Sequence, residues 1–224
     1  MSYTGLKNKI QNFLENDGAD LVFSLDDIIS QAEEMVFQRM PNLPCFRHVQ
    51  TGTLISGTSD YNIVGASASA LFSSSFTAQP RMIRQVCITY GNDKIYLDHR
   101  IDSYLRDYWP DSSSTGIPIM YSTKTAFDTG SSGTTITIAP TPNSDLAYQV
   151  DYIAPEQGLS SSNTKTWIDT NAPNVLLAAA LYESSAFLKA PETLQLYKTQ
   201  FDEAVNLFVQ EMQRNYAAEY NGGI

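Results

Sequence analysis

The stretch Asn171-Ala172-Pro173-Asn174-Val175-Leu176-Leu177-Ala178-Ala179-Ala180-Leu181-Tyr182-Glu183-Ser184-Ser185-Ala186 decides the fold. Asn171 and Pro173 are start signals, and the residues after them are apolar or small on nearly every face, which predicts a helix packed on several sides. Pro191 then restarts the pattern. Leu194, Tyr197, Phe201, Val205, Phe208, Met212 and Tyr216 recur at steps of three and four. That spacing predicts a long amphipathic helix antiparallel to the one before it.

Working outward, the N-terminus carries the same period. Leu6, Ile10 and Phe13 fall at helical spacing, and Asn16-Asp17-Gly18 supplies a stop. Ser24 with Asp27 reads as a capping box ahead of Ile28, Ile29, Ala32, Met35 and Val36, with Pro41 closing the helix. Asp26 and Asp27 would then sit in the first turn, complementing the helix dipole, and Glu33 and Glu34 on a solvent face. Both chain ends are thus expected to be helical.

The middle is different material. Ser and Thr total 42, and 33 of them lie between Thr51 and Thr166. Gly91-Asn92-Asp93 between Met82–Tyr90 and Lys94–Leu97 is a hairpin signal. A short helix with Ile101, Leu105 and Tyr108 on one face is expected next. Ile117–Thr123, Thr134–Ala139 and Tyr148–Ile153 read as three successive strands of an antiparallel meander. Thr51–Thr77 offers little core and reads as a mobile or partner-ordered loop, with Tyr61–Val64 a possible strand.

The 224 residues carry a formal charge of −10, the wrong sign for a protein that grips phosphate over a broad surface. No apolar run reaches the length of a membrane span, and the first residues lack a signal-peptide pattern. Cys45 and Cys87 lack CxxC spacing and read as reduced thiols. The chain is expected to be soluble and to fold where it is made.

Catalytic patterns are sparse. Cys45 and His48 would make only half a zinc site, which Cys87 and His99 could complete only through a coincidence of folding. Gly65-Ala66-Ser67-Ala68-Ser69 misses the Gly-x-Ser-x-Gly elbow, and no phosphate-loop or dinucleotide fingerprint occurs. Asp98, Asp102 and Asp107 near Arg100 and Arg106 read as an ion-paired surface. The expectation is no enzyme, no metal and no cofactor. Thirteen tyrosines point instead to core or interface. Tyr108, Trp109, Tyr121, Tyr148 and Tyr152 could also stack on sugars, so a carbohydrate-binding β module is the alternative.

The order and spacing of several runs carry a resemblance. They are Ile101-Asp102-Ser103-Tyr104, Tyr108-Trp109-Pro110-Asp111, Gly116-Ile117-Pro118, Met120-Tyr121-Ser122 and Ile136-Thr137-Ile138-Ala139-Pro140-Thr141-Pro142. Tyr152-Ile153-Ala154-Pro155, Leu159, Trp167-Ile168 and Leu176–Glu183 follow. Together they resemble the head-to-tail adaptor, or connector, proteins of tailed bacteriophages, and Ala32-Glu33 fits the same pattern. The Ser-rich segment Thr51–Thr77 departs from it.

The resemblance implies an α+β fold, a helical bundle from residues 1–48 and 167–218 bearing an inserted antiparallel β-sandwich or meander, 49–166. It implies a virion structural protein assembled in the host cytoplasm, about a dozen copies forming a ring under the portal, with another tail structural component as the alternative role. A tail nozzle or tube would dock below, and DNA would pass through the lumen without specific binding. No membrane is involved. Residues 219–224 are expected to be a flexible tail, with Met212, Tyr216, Tyr220 and Ile224 meeting the portal or a neighbouring subunit. Trp167, Trp109, Tyr152 and Phe201 are the expected structural anchors, Trp167 pinning the β insertion onto the helices.

Overall fold

The structure is a computed structural model, and it describes residues 1–65, 70–73, 80–128 and 131–221. The fold is α+β: helices from both chain ends and an inserted β domain. The chain divides into Met1–Cys45 with Glu156–Ile224, and Phe46–Pro155. These boundaries differ from 48/49 and 166/167 for local reasons. His48 already lies in a strand, opposite Tyr152, while Tyr3 N–H donates to the Thr164 carbonyl at 3.1 Å.

In the helical unit, α1 (Tyr3–Leu14) is capped by the Ser2 hydroxyl, which accepts from Gly5 N–H. It buries Tyr3, Leu6 and Ile10. Phe13, expected on the same stripe, is exposed. Helix α2 runs Ala19–Arg39 and starts five residues before the expected cap. Ser24 is inside it, its hydroxyl bonded to the Asp20 carbonyl one turn back at 2.9 Å, a use of serine that competes with capping. Asp26 is therefore mid-helix as well. It takes Tyr3 Oη and Lys7 Nζ from α1, tying the two helices together.

After α4 (Trp167–Asn171), Pro173 opens α5 (Pro173–Phe187) at its first turn. Ala178, Ala179, Ala180, Ser184 and Ser185 are buried, so neighbouring helices approach its backbone closely. Lys189 takes the left-handed conformation, φ 53°. Ala190 N–H reaches the Ser185 carbonyl and Lys189 N–H the Ala186 carbonyl, the two bonds of a Schellman stop. Pro191 then begins α6 (Pro191–Asn221), about 46 Å at 1.5 Å per residue. Tyr197, Phe201, Val205 and Phe208 form its buried stripe. The helix passes residue 219, where a tail was expected to begin. Ala217, Ala218 and Glu219 are good helix formers.

The β unit holds two sheets. In the first, β1 (Arg47–Leu54), β11 (Leu146–Ile153), β4 (Met82–Tyr90) and β5 (Asp93–Tyr96) pair antiparallel in that order. The β4–β5 turn is Gly91-Asn92, with Gly91 at φ 62°, the positive φ that a two-residue hairpin turn needs first. The second sheet is β3 (Ala70–Ser73), β2 (Asp60–Gly65), β9 (Ser131–Ala139), β8 (Met120–Asp128) and β6 (Asp98–His99). Here β2–β3 and β6–β8 are parallel. A parallel pair of short strands, β7 (Thr115–Gly116) and β10 (Thr141–Pro142), completes the unit.

Two expectations are corrected here. The three-strand meander is instead a hairpin, β8–β9, plus β11, which crosses to the other sheet and pairs between β1 and β4. Alternation fixes which face a strand buries but not its neighbour. The Ser-rich loop is also partly regular: Thr51–Leu54 belongs to β1, and β2 and β3 follow. Residues 66–69 and 74–77 of that segment lie outside the described residues. Leu54, Tyr61, Val86, Ile88, Tyr121, Ile136, Ile138, Tyr148 and Val150 from both sheets form one buried cluster, so the unit is a sandwich.

α3 (Asp102–Tyr108) buries Leu105 alone. Ile101 and Tyr108, expected on its inner face, are exposed. Ile101 precedes the first helical residue, and so lies off the helical wheel.

Candidate interaction surface

The expected anchors separate by element. Phe201 is buried in the α6 stripe, and Tyr152 is buried in the sandwich, stacked on His48 at 5.5 Å. Trp109 ends α3 and packs against Leu105, Met120 and Ala139, donating its indole N–H to the Ser114 carbonyl at 2.9 Å. Trp167, the first residue of α4, is half-buried and meets Phe208 of α6 edge-on at 6.2 Å. That ring contact lies within the helical unit. Trp167→Ala is expected to cost about 1–2 kcal/mol by urea unfolding, below a fully buried Trp because part of the ring stays wet. An unchanged midpoint would show the contact to be idle.

Of the expected interface residues, Met212 is half-buried on α6. Tyr216 and Tyr220 continue its backbone, and Ile224 lies outside the described residues.

Beside the α6 stripe, α2, α5 and α6 leave a groove of about 310 Å³. Met35 and Phe201 line it with Tyr182, and Arg39, Lys198 and Asp202 supply its charge. Arg39 reaches Asp202 at 2.7 Å, using one arm of a guanidinium that carries five donors. Lys198 is exposed and carries no ion pair among the described residues. With Asp202 set against Arg39, Lys198 leaves the groove one net positive charge in a chain of charge −10.

A second polar cluster holds the segment 156–166 in the helical unit. Leu159 N–H donates to both Glu33 oxygens, at 3.1 and 3.0 Å. Gly158 permits that approach, because a Cβ there would fall 2.8 Å from Glu33 Oε2. Glu156 accepts from Trp167 N–H at 2.8 Å, and buried Asp169 lies 3.2 Å from the Met1 ammonium. Burial, then the facing Glu156 and Asp169 carboxylates, push the Glu33 carboxyl up to about 7 against the opposing Leu159 bond. The expectation that Glu33 faces solvent is thus corrected. It falls one turn from Ile29 and from Val36 on the helical wheel, adjacent to the buried stripe, which is the signal that could have found it.

In the β unit, Asp102 binds Arg106 and Lys124, both at 2.8 Å, beside a cleft of about 160 Å³ that Trp109 and Asp60 also line. Burial by itself would raise the Asp102 carboxyl, and the two cations together outweigh it and hold the group below its ordinary value. Arg100 pairs with Asp98 and lies over the Tyr104 ring, which stacks on Tyr108. Tyr121, Tyr148 and Tyr152 are buried, which removes three of the five aromatics from any exposed sugar-stacking platform. His48 sits on Tyr152, and His99 tilts over Tyr121 at 5.0 Å. Among the described residues no three His, Cys, Asp or Glu side chains converge as a metal site.

No known family profile matches the sequence, and no curated protein is significantly similar to it.

Proposed function

We propose that the chain is a head-to-tail adaptor of a tailed bacteriophage, a structural protein that assembles as a ring of about a dozen copies between portal and tail. The observation that supports it most is the build. Helices from the two chain ends form one unit, α6 runs through 31 residues, and a β-sandwich is inserted between them, in the element order that the sequence resemblance implies. The work is mechanical: the ring bridges portal and nozzle or tube, and an acidic wall lets DNA slide past without adhering. No helix among the described residues is long and apolar enough to cross a membrane.

Particle images of the purified chain, alone and mixed with the portal, test this. Rings are expected, and a chain that stays monomeric in both samples would overturn the reading. Truncation after Arg214 tests the C-terminal end. Phe208 is the last buried residue of the α6 stripe among the described residues, so the shortened chain is expected to stay folded, its helical circular dichroism lowered only by the seven α6 residues removed, while losing head-to-tail joining. Normal particle yield would assign joining elsewhere.

A further inference from the structure

Helix α2 carries a feature that its packing does not use. Phe23 is 90% exposed, a large apolar surface held in water. Asp20 and Asp27 stand three residues before and four after it, both exposed, so all three lie on one outward stripe. The stripe is an aromatic knob flanked by two carboxylates. The groove of α2, α5 and α6 is its complement: an apolar floor of Met35 and Phe201, lined also by Lys198, unpaired among the described residues, and by Arg39, whose guanidinium keeps donors beyond the one Asp202 takes.

We infer that Phe23 of one copy seats in the Met35–Phe201 groove of the next, with Asp20 and Asp27 meeting Arg39 and Lys198. This deepens the ring reading and rests on it, since it names the contact that joins neighbours. One copy cannot fill its own groove. Phe23 and Met35 are twelve residues apart on a single rigid helix, about 18 Å at 1.5 Å per residue. Knob and groove are different surfaces, so the contact is heterologous, and such contacts propagate head to tail and close into rings when the rotation permits. The charges add direction: knob against knob sets carboxylate against carboxylate, and groove against groove sets one uncompensated Lys198 against another. A second copy is also the one occupant whose complementary surface is present in this chain.

Sedimentation of Phe23→Ala and Lys198→Glu, alone and mixed, tests the contact. Both positions are exposed, so both variants are expected to fold like the parent by circular dichroism. Each alone is expected to weaken self-association at least about thirtyfold, the scale of a buried anchor lost at an interface. Mixed, they are expected to form one-to-one dimers. The Phe23→Ala chain retains an intact groove and the Lys198→Glu chain an intact knob, so one contact forms and no chain can extend it.

The overturning results differ by what they remove. Wild-type rings with unaffected variants would leave the ring and discard this contact. Broken variants that stay monomeric when mixed would discard the heterologous geometry. Variants that self-associate normally but fail to recruit the tail would give the groove to a tail component. A wild-type chain monomeric even with the portal would remove the ring reading and this contact with it.

Discussion

Gly52→Val is expected to destabilise the β unit by about 2–5 kcal/mol, although valine is the better strand former. Gly52 in β1 lies directly opposite Tyr148 in β11, and the tyrosine ring covers it. A Cβ at position 52 would sit 2.6 Å from Tyr148 Oη and 2.7 Å from two ring carbons. The ring is buried among the sandwich core, and its hydroxyl donates 2.6 Å to the Leu71 carbonyl. Burial pushes that phenol up to about 12, so it stays a neutral donor across the working range. Displacing it adds overpacking strain of about 1–3 kcal/mol to an orphaned buried carbonyl and hydroxyl of similar cost.

A double-mutant cycle isolates the cause. Gly52→Ala is expected to be costly beside Tyr148 and close to neutral in a Tyr148→Ala background, because the clash has then gone. Equal penalties in the two backgrounds, read by urea unfolding, would show that the ring is not what position 52 accommodates.

This contact illustrates which parts of the fold were readable in the chain. The α5–α6 hairpin was, because its cause is local: a period near 3.6 and a proline at each start. The β4–β5 turn was readable for the same reason. Gly52 was not, since its partner lies 96 residues away and nothing in Thr51-Gly52-Thr53 announces a ring above it. The placement of β11 between β1 and β4 is likewise non-local.

Capping signals misled in a different way. Ser24-x-x-Asp27 has the right spacing, but Asp20–Phe23 also suits a helix, and packing of Leu21 and Leu25 extended α2 backwards through the apparent cap. That shift left Phe23 outside the expected helix, and with it the knob. The groove was hidden too. Phe201 was expected as an anchor from its period, but the convergence of Arg39 and Lys198 beside it needs three helices in place.

Stability is expected to fall as the pH rises from about 5 to about 8, and Glu33→Gln is expected to remove most of that slope. Glu33 has an ordinary carboxyl in the unfolded chain, near 4.5, and one pushed up to about 7 in the folded protein. Between those values the folded chain binds the extra proton. The stabilisation is therefore complete below the unfolded value and is lost as the pH passes through the folded one. A shift of that size corresponds to about 3 kcal/mol at most, and partial exposure of the carboxyl to water reduces it to about 2. The glutamine side chain would stay neutral, keep a carbonyl oxygen for the Leu159 N–H, and present no charge to Glu156 or Asp169. The variant is expected to match the wild type near pH 5 and to exceed it by about 2 kcal/mol near pH 8. A residual slope of the same sign belongs to Glu183, whose carboxyl burial also raises. Glu33→Ala, which leaves Leu159 N–H without its acceptor, is expected to lose stability at both pH values. Urea unfolding of the three chains at the two pH values decides it: parallel pH profiles for wild type and Glu33→Gln would mean that the folded carboxyl is already charged at pH 5.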